Sequence, residues 1–194
     1  MHFQILETTD TFVYGRFTLA STDKVFYACE KAMDKNGIQS GEVGEGEDAS
    51  QDDETRKSTV SWMYKSKKLR SKIDDVVAYY NGKKFQRDIT DGAENYQVTV
   101  YDDVDDHYDW HQDHYDDVET DFVRTLSLSI CLTPDDWYEG AEFFIKDGSE
   151  TNIRVFKMKY GDFIIFPSDV EHKINALREG SRTSLVVWYG HEVK

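Results

Sequence analysis

Arg124-Thr-Leu-Ser-Leu-Ser-Ile-Cys-Leu132 alternates without interruption, with Leu126, Leu128, Ile130 and Leu132 on one face and Thr125, Ser127, Ser129 and Cys131 on the other. A sustained period of two is the mark of a strand with one face on a core. Tyr96, Val98 and Val100 alternate with Gln97, Thr99 and Tyr101 in the same way. Further strands are predicted at 141–145, 155–158, 162–166 and 184–189, with turns at Asp147-Gly148, Tyr160-Gly161 and Glu179-Gly180. Upstream the period is helical. Val25, Phe26, Cys29, Ala32 and Met33 share a face behind a cap at Ser21 or Thr22, with Asp23 in the first turn and Asn36-Gly37 as the stop. A second helix starts near Ser66, buries Leu69, Ile73, Val76, Val77 and Tyr80, and ends at Asn81-Gly82. Its basic run, Lys65, Lys67, Lys68, Arg70 and Lys72, reads as a solvated side. Two helices followed by many short strands predict a mainly β (α+β) fold, a jelly roll buttressed by N-terminal helices. One domain is expected over 1–194, with support from 1–93 and a catalytic core at 94–194. The small-residue face of 125–131 either meets solvent or lines a cavity, and the pattern leaves both open.

The chain has 194 residues, 38 of them acidic and 23 basic, for a net charge of −15. Its hydrophobic share of 39% is low, but 27 aromatic residues supply large buried areas and exclude wholesale disorder. Such acidity argues against a nucleic-acid partner. No apolar run is long enough to span a membrane, and the opening residues do not read as a secretory signal, so a cytoplasmic protein is expected. Cys29 and Cys131 are too few for a disulfide scaffold. The charge is local. Residues 36–55 hold seven acids and no Lys or Arg, and residues 88–123 hold thirteen acids and again no base. The remainder therefore carries +5. The first stretch, rich in glycine, reads as an exposed loop, either inert or a lid. The second mixes Tyr108, Trp110 and histidines into the acids, which a solvated tail does not require.

Three His-x-Asp triplets overlap there: His107/Asp109, His111/Asp113 and His114/Asp116. At a period of two, each pair shares a face and can bind one metal. An Asp-rich chain also generates such triplets by chance, so histidines in a solvated acidic loop remain an alternative. Another is a non-catalytic jelly roll holding Ca²⁺ through Asp102, Asp103, Asp105 and Asp106. Beyond the apolar run 161–168 lies His172, and then Arg182 and Ser184 on one face of an otherwise apolar strand. A guanidinium on a core strand is costly unless an anion meets it. That anion is either an internal carboxylate or a small-molecule ligand that Ser184 also contacts. Two histidines and one carboxylate on one side of a metal suit non-haem Fe(II), which then has room for 2-oxoglutarate and dioxygen. The distal carboxylate of 2-oxoglutarate would fall to Arg182.

These segments resemble the Fe(II)/2-oxoglutarate dioxygenases of the prolyl 4-hydroxylase superfamily, in particular PKHD-type hydroxylases and related bacterial and phage proteins. The resemblance runs through Arg56-Lys-Ser58-Thr-Val-Ser-Trp62, Tyr96–Tyr101, His107-Tyr-Asp-Trp-His111-Gln-Asp113, Arg124–Ser129, Tyr138-Glu-Gly-Ala-Glu142, Phe166-Pro-Ser168 to His172, and Gly180-Ser-Arg182 to Trp188. It implies a double-stranded β-helix, with His111, Asp113 and His172 as metal ligands and His107 as a non-ligating histidine; His114 gets no role. Arg182 and Tyr101 would bind 2-oxoglutarate, Trp188 would line the pocket, and Ser184 would follow an Arg-x-Ser pattern of other branches. Cys131 replaces a tyrosine that some relatives use to anchor the distal carboxylate, and Ala141 replaces the second glycine of Gly-Gly-Glu. The implied cofactors are Fe(II), 2-oxoglutarate and O2, with ascorbate as an auxiliary. The implied reaction hydroxylates a C–H bond, with a peptidyl proline or another protein side chain as substrate, releasing succinate and CO2. The acidic metal loop suggests a cationic partner. A nucleic-acid demethylase of the same superfamily is the alternative that the acidity disfavours.

Overall fold

The computed structural model describes residues 2–43, 50–63, 67–114 and 121–193. The hairpin β1 (Phe3–Thr8) and β2 (Val13–Phe17) opens the chain and leads to α1 (Leu19–Asn36). Three short strands follow, β3 (Gln39–Ser40), β4 (Arg56–Lys57) and β5 (Thr59–Met63), then α2 (Lys67–Tyr80) and a π-turn at Asn81–Phe85. Strands then dominate: β6 (Gly92–Ala93), β7 (Tyr96–Tyr101), β8 (His107–His111), β9 (Phe122–Cys131), β10 (Tyr138–Gly140) and β11 (Phe143–Lys146). The last are β12 (Ile153–Phe156), β13 (Asp162–Pro167), β14 (His172–Ile174), β15 (Leu177–Gly180) and β16 (Arg182–Glu192).

The major sheet runs β1-β2-β13-β9-β16-β7-β5-β3, with β6 beside β16, and the minor sheet runs β12-β11-β14-β8-β4. The pair β10-β15 stands apart. From β7 onward the chain passes back and forth between the two sheets, and the described pairings are antiparallel. This is the jelly-roll arrangement of a double-stranded β-helix. The alternation of β9 explains its position. Leu126, Leu128 and Ile130 join Val25, Cys29, Ile73 and Val77 in a core between the major sheet and the helices. On the opposite face, Cys131 joins Tyr101, Phe143, Ile145 and Phe166 in a second core between the two sheets. Ser127 and Ser129 are buried, so the small-residue face lines the interior and not the solvent.

Several boundaries differ from the sequence reading. The first helix is capped by Thr18, not by Ser21 or Thr22. β2 ends at Phe17, and the N–H groups of Ser21 and Thr22 already donate to the Thr18 carbonyl. Asp23 is hydrogen-bonded to Tyr160 Oη across to the β12–β13 connection. Asn81-Gly82 does not stop the second helix. The chain continues through the π-turn to Gln86, in the left-handed region, and the Asn81 side chain brackets the backbone of Arg87. Ala141 lies between strands with φ +48 and is fully buried, so this alanine takes a conformation that suits the family's glycine. The strand predicted to end at Met158 ends at Phe156, and Glu179-Gly180 belongs to the end of β15. The hairpin β1–β2 has no counterpart in the sequence reading. The stem of the acidic loop closes through a Val43–Ser50 bridge, while the lid question falls on 44–49, outside the described residues. The basic run Lys65, Lys67, Lys68, Arg70 and Lys72, with Leu69, also lies outside the described side chains.

Candidate metal centre

β8 and β14 are adjacent and antiparallel in the minor sheet, with His111 directly opposite His172. Their Nδ1 atoms lie 2.7 Å from the Asp109 carbonyl oxygen and 3.0 Å from that of Val170. In each case the carbonyl can only accept, so Nδ1–H is the donor and Nε2 is the nitrogen left to face a ligand. Asp113 sits just past β8, where the N–H groups of Asp113 and His114 both donate to the Ser168 carbonyl, at 2.9 and 3.0 Å. Its Oδ2 accepts from Ser127 Oγ at 2.7 Å, and Ser127 and Ser168 share a hydroxyl hydrogen bond of 2.9 Å. Asp113 is thus held from β9 and β13 while the histidines are held within the minor sheet.

The result is three ligand atoms facing one another. His111 Nε2 lies 3.7 Å from Asp113 Oδ1 and His172 Nε2 lies 3.5 Å from Asp113 Oδ2. All three ligand atoms fall within 4.8 Å of one another, the one such group among the described residues. Burial, reinforced by the neighbouring His172, pushes the His111 imidazole down to about 3, so it is neutral and ready to donate its lone pair at neutral pH. Burial alone would raise Asp113, but the two histidines, the Ser127 hydroxyl and Arg124 outweigh it and hold the carboxyl below its usual range.

This has a consequence for the metal-free protein. In the unfolded chain a histidine titrates near about 6.5, whereas folded His111 does so at about 3. Between those values the unfolded chain binds the extra proton, so this contribution to stability is complete above about pH 6.5 and is lost as pH falls toward 3. Urea denaturation in chelator from pH 7 to pH 4 is expected to show a steeper decline for wild type than for His111→Asn. Parallel curves would contradict the buried neutral imidazole.

Around the triad, the Tyr108 ring stacks on His111 with centroids 3.5 Å apart, and the Arg56 guanidinium lies over the Tyr108 ring, 4.6 Å from its centroid. Arg182 on β16 is 1% exposed and pairs in register with Tyr101. Its guanidinium lies 5.8 Å from the Tyr101 ring centroid, donates to Met158 Sδ at 3.7 Å and also meets the Tyr138 hydroxyl. Its Nε has no partner, and among the described residues no carboxylate pairs with it. Among the described residues, then, the internal salt bridge does not form. Ser184 and Trp188 lie further along β16 and line the same pocket as Tyr101, His111, Asp113 and His172. Arg124 covers the Trp188 ring at 4.0 Å and is itself paired with Glu94 at 2.6 Å. Cys131 is buried with its thiol turned to the Thr133 carbonyl, at 3.4 Å.

The other candidates separate cleanly. The two ring nitrogens of His107 meet the carbonyls of Asp105 and Glu54, and His114 Nδ1 meets the Arg124 carbonyl at 2.8 Å. Asp116 lies outside the described residues. Asp106 is 3% exposed, accepts the N–H groups of Asp102 and Asp103 at 3.0 Å, and pairs with Lys57 at 3.4 Å. Its oxygens close a turn, which argues against Asp106 as a Ca²⁺ ligand. The acids of 88–123 are also less bare than the sequence suggests, since Lys173 approaches Asp109 at 4.0 Å and His191 approaches Asp88 at 3.7 Å.

Ser168, Tyr108 and Arg56 acquire parts at the site that the sequence reading did not assign. The signal for Ser127 was present in the small face of β9. Ser127→Ala leaves the Asp113 carboxylate one donor short and is expected to weaken metal binding by about 10–100-fold. Metal titration followed by tryptophan fluorescence checks this, and unchanged affinity would remove Ser127 from the site.

Comparisons with known proteins agree with this geometry. The chain is 34% identical to a PKHD-type hydroxylase of Idiomarina loihiensis over 82 residues, which is 42% of this chain and 37% of that protein. It is 39% identical to one from Prochlorococcus marinus over 69 residues, 36% of this chain and 30% of that protein. The chain thus spans about a third of the length of the curated relatives it matches. Among solved structures, a prolyl hydroxylase of Trichoplax adhaerens, in complex with a hypoxia inducible factor peptide fragment, superposes with TM-score 0.74 at 16% identity, covering 94% of this chain and 84% of that one. A prolyl-4-hydroxylase of Pseudomonas putida gives TM-score 0.70 at 15% identity, covering 94% of this chain and 93% of the other. These two likenesses establish the fold. Residues 96–190, which carry the facing histidines, the aspartate and the buried arginine, match the 2OG-Fe(II) oxygenase superfamily, and the chain belongs to it.

Proposed function

We propose that the chain is an Fe(II)- and 2-oxoglutarate-dependent hydroxylase acting on a peptidyl prolyl or other protein side chain, with release of succinate and CO2. The observation that carries this reading is Arg182, a fully buried guanidinium with no carboxylate partner among the described residues. A buried cation is tolerable when a ligand supplies the anion, and its planar fork suits a carboxylate. His111, Asp113 and His172 would hold the iron, an assignment that fits two imidazoles and a carboxylate whose ligand atoms converge on one side of a cavity. Ferrous iron, when bound, would activate O2, the oxidant, with 2-oxoglutarate as the two-electron co-reductant that becomes succinate and CO2, for attack on an unactivated C–H bond. O2 is the co-substrate, and ascorbate is an expected auxiliary.

The protein's own residues do the positioning. Arg182 would fix the distal carboxylate, with Ser184 donating nearby. Burial raises the Tyr101 phenol, so it stays protonated and can donate to the co-substrate. Trp188 with Phe143, Phe166, Ile174 and Val186 gives the pocket apolar walls that exclude water. The free, buried cysteines suit the reducing cytoplasm, and no described helix is long and apolar enough to cross a membrane. Acidic residues of 102–109 near the site favour a peptide with basic flanks.

The test is succinate release and a hydroxyl mass gain on proline-containing peptides, basic and acidic, at low and high salt. Peptide-dependent turnover that is faster for basic flanks at low salt is expected. Turnover indifferent to salt would remove the electrostatic preference, and no peptide-dependent succinate would remove the peptidyl substrate.

A further inference from the structure

Arg56 is a second buried cation, and it stands in the wall of the cavity that holds the metal triad. It is 6% exposed, lines the pocket beside Gln97, Thr99 and Tyr108, and sits opposite Tyr108 in the β4–β8 register. Three neutral acceptors orient it. Nε donates to Ser58 Oγ at 3.0 Å, Nη1 to the Glu42 carbonyl at 2.9 Å and Nη2 to Gln97 Oε1 at 3.0 Å. Among the described residues no carboxylate pairs with it, and Glu42 meets it through the main chain, with its own side chain turned to solvent. A guanidinium has five N–H donors, so one on each terminal nitrogen is left to meet a carboxylate.

Charge balance makes this specific. A divalent ion with Asp113 and Arg182 carries a net +2, which the 2-oxoglutarate dianion cancels. Arg124 and Lys57 are already matched by Glu94 and Asp106. The loaded site is then left with the single positive charge of Arg56 in a largely apolar cavity, a costly arrangement unless a further anion enters. We propose that Arg56 receives a carboxylate of the primary substrate, carried close to the C–H bond that is hydroxylated, and so selects an acidic neighbour at the target residue. This rests on the dioxygenase reading above and narrows its substrate class. It is compatible with basic residues further out on the same peptide, which would meet the rim and not the cavity.

The carboxylate can belong to an Asp or Glu side chain or to a free chain terminus, and the experiment separates these sources. Short peptides with a fixed central proline and randomised flanks are captured on protein loaded with Fe(II) and 2-oxoglutarate without oxygen, as C-terminal amides and as free acids. Wild type is expected to enrich peptides with Asp or Glu over their Asn or Gln counterparts by at least about tenfold, because truncating one partner of a buried charge pair costs that much or more. Enrichment confined to the free acids assigns the carboxylate to the terminus. Arg56→Gln is expected to abolish the preference and Arg56→Lys, which keeps the charge but not the fork, to reduce it severalfold. Absence of an acidic preference in wild type, or the same preference in both variants, overturns the proposal. The charge-transfer absorption of the loaded wild type is read in the same samples. Its absence sinks the dioxygenase reading itself, while its presence without acidic selection sinks only the role of Arg56.

Discussion

Arg182→Met is expected to yield a protein that resists unfolding better than wild type and no longer holds 2-oxoglutarate. The two effects have one cause. Without co-substrate, folding drives the guanidinium into a 1% exposed site where its partners are neutral, the Met158 sulfur at 3.7 Å and the Tyr138 hydroxyl, and Nε has none. Replacing even a buried ion pair with apolar side chains of similar volume is neutral or gains about 1–4 kcal/mol, and a charge without a counter-ion has less to lose. For a chain of this size each kcal/mol moves the melting temperature by about 2–4 °C. Saturating 2-oxoglutarate reverses the ranking, since a ligand at 100 times its Kd adds about 2.7 kcal/mol to whichever protein binds it. Thermal melts of both proteins with Fe(II) under anaerobic conditions, with and without 2-oxoglutarate, decide the matter. A variant that is less stable without the co-substrate would mean that Arg182 is satisfied within the fold. A variant that still gains stability from 2-oxoglutarate would mean that the anion binds elsewhere.

That tension between stability and binding was partly legible in the chain. Arg182 and Ser184 stood on an otherwise apolar strand that called for an anion, internal or bound, and the alternation at 124–132 fixed which face of β9 meets the helices. What the alternation could not say was where its small face points, because solvent and a cavity ask the same thing of Ser127 and Ser129. Both are buried, and Ser127 reaches Asp113. The triplets were ambiguous for a similar reason. His107 and His111 have the same local spacing to an aspartate, and what separates them is a partner more than fifty residues away. His111 faces His172 across β8 and β14, whereas His107 faces Lys57 of β4 and spends its nitrogens on main-chain carbonyls. Local charge misled in another way. The bases that match Asp106, Asp109 and Glu94 are Lys57, Lys173 and Arg124, all from outside the acidic stretch, so a count along the sequence exaggerates the bare negative field. Arg56 stayed hidden because its importance lies in what it lacks: nothing in Thr55-Arg56-Lys57 announces a guanidinium whose acceptors are all neutral.

His172→Ala is expected to abolish the metal-dependent part of the protein's stability along with the charge-transfer band that Fe(II) and 2-oxoglutarate give together. Three ligands on one side are the minimum that holds an ion while leaving room for a chelating co-substrate, and two leave the ion to water. Wild type with Fe(II) at 1,000 times its Kd should gain about 4.1 kcal/mol over the chelated protein. Losing an outer hydrogen bond such as that of Ser127 lowers affinity by about 10–100-fold and leaves a reduced gain. Losing a ligand should leave none. His107→Ala is the informative control, because that ring stands on carbonyls outside the triad and its removal should leave the metal-dependent gain in place. The ordering is what matters: full gain for wild type and His107→Ala, partial for Ser127→Ala, none for His172→Ala. Metal held by the acidic turn at 102–106 would predict the reverse, with His172→Ala indistinguishable from wild type. Asp106 argues against that outcome already, since its carboxylate is committed to two backbone N–H groups and Lys57 and could bind an ion only by opening the turn that positions β8.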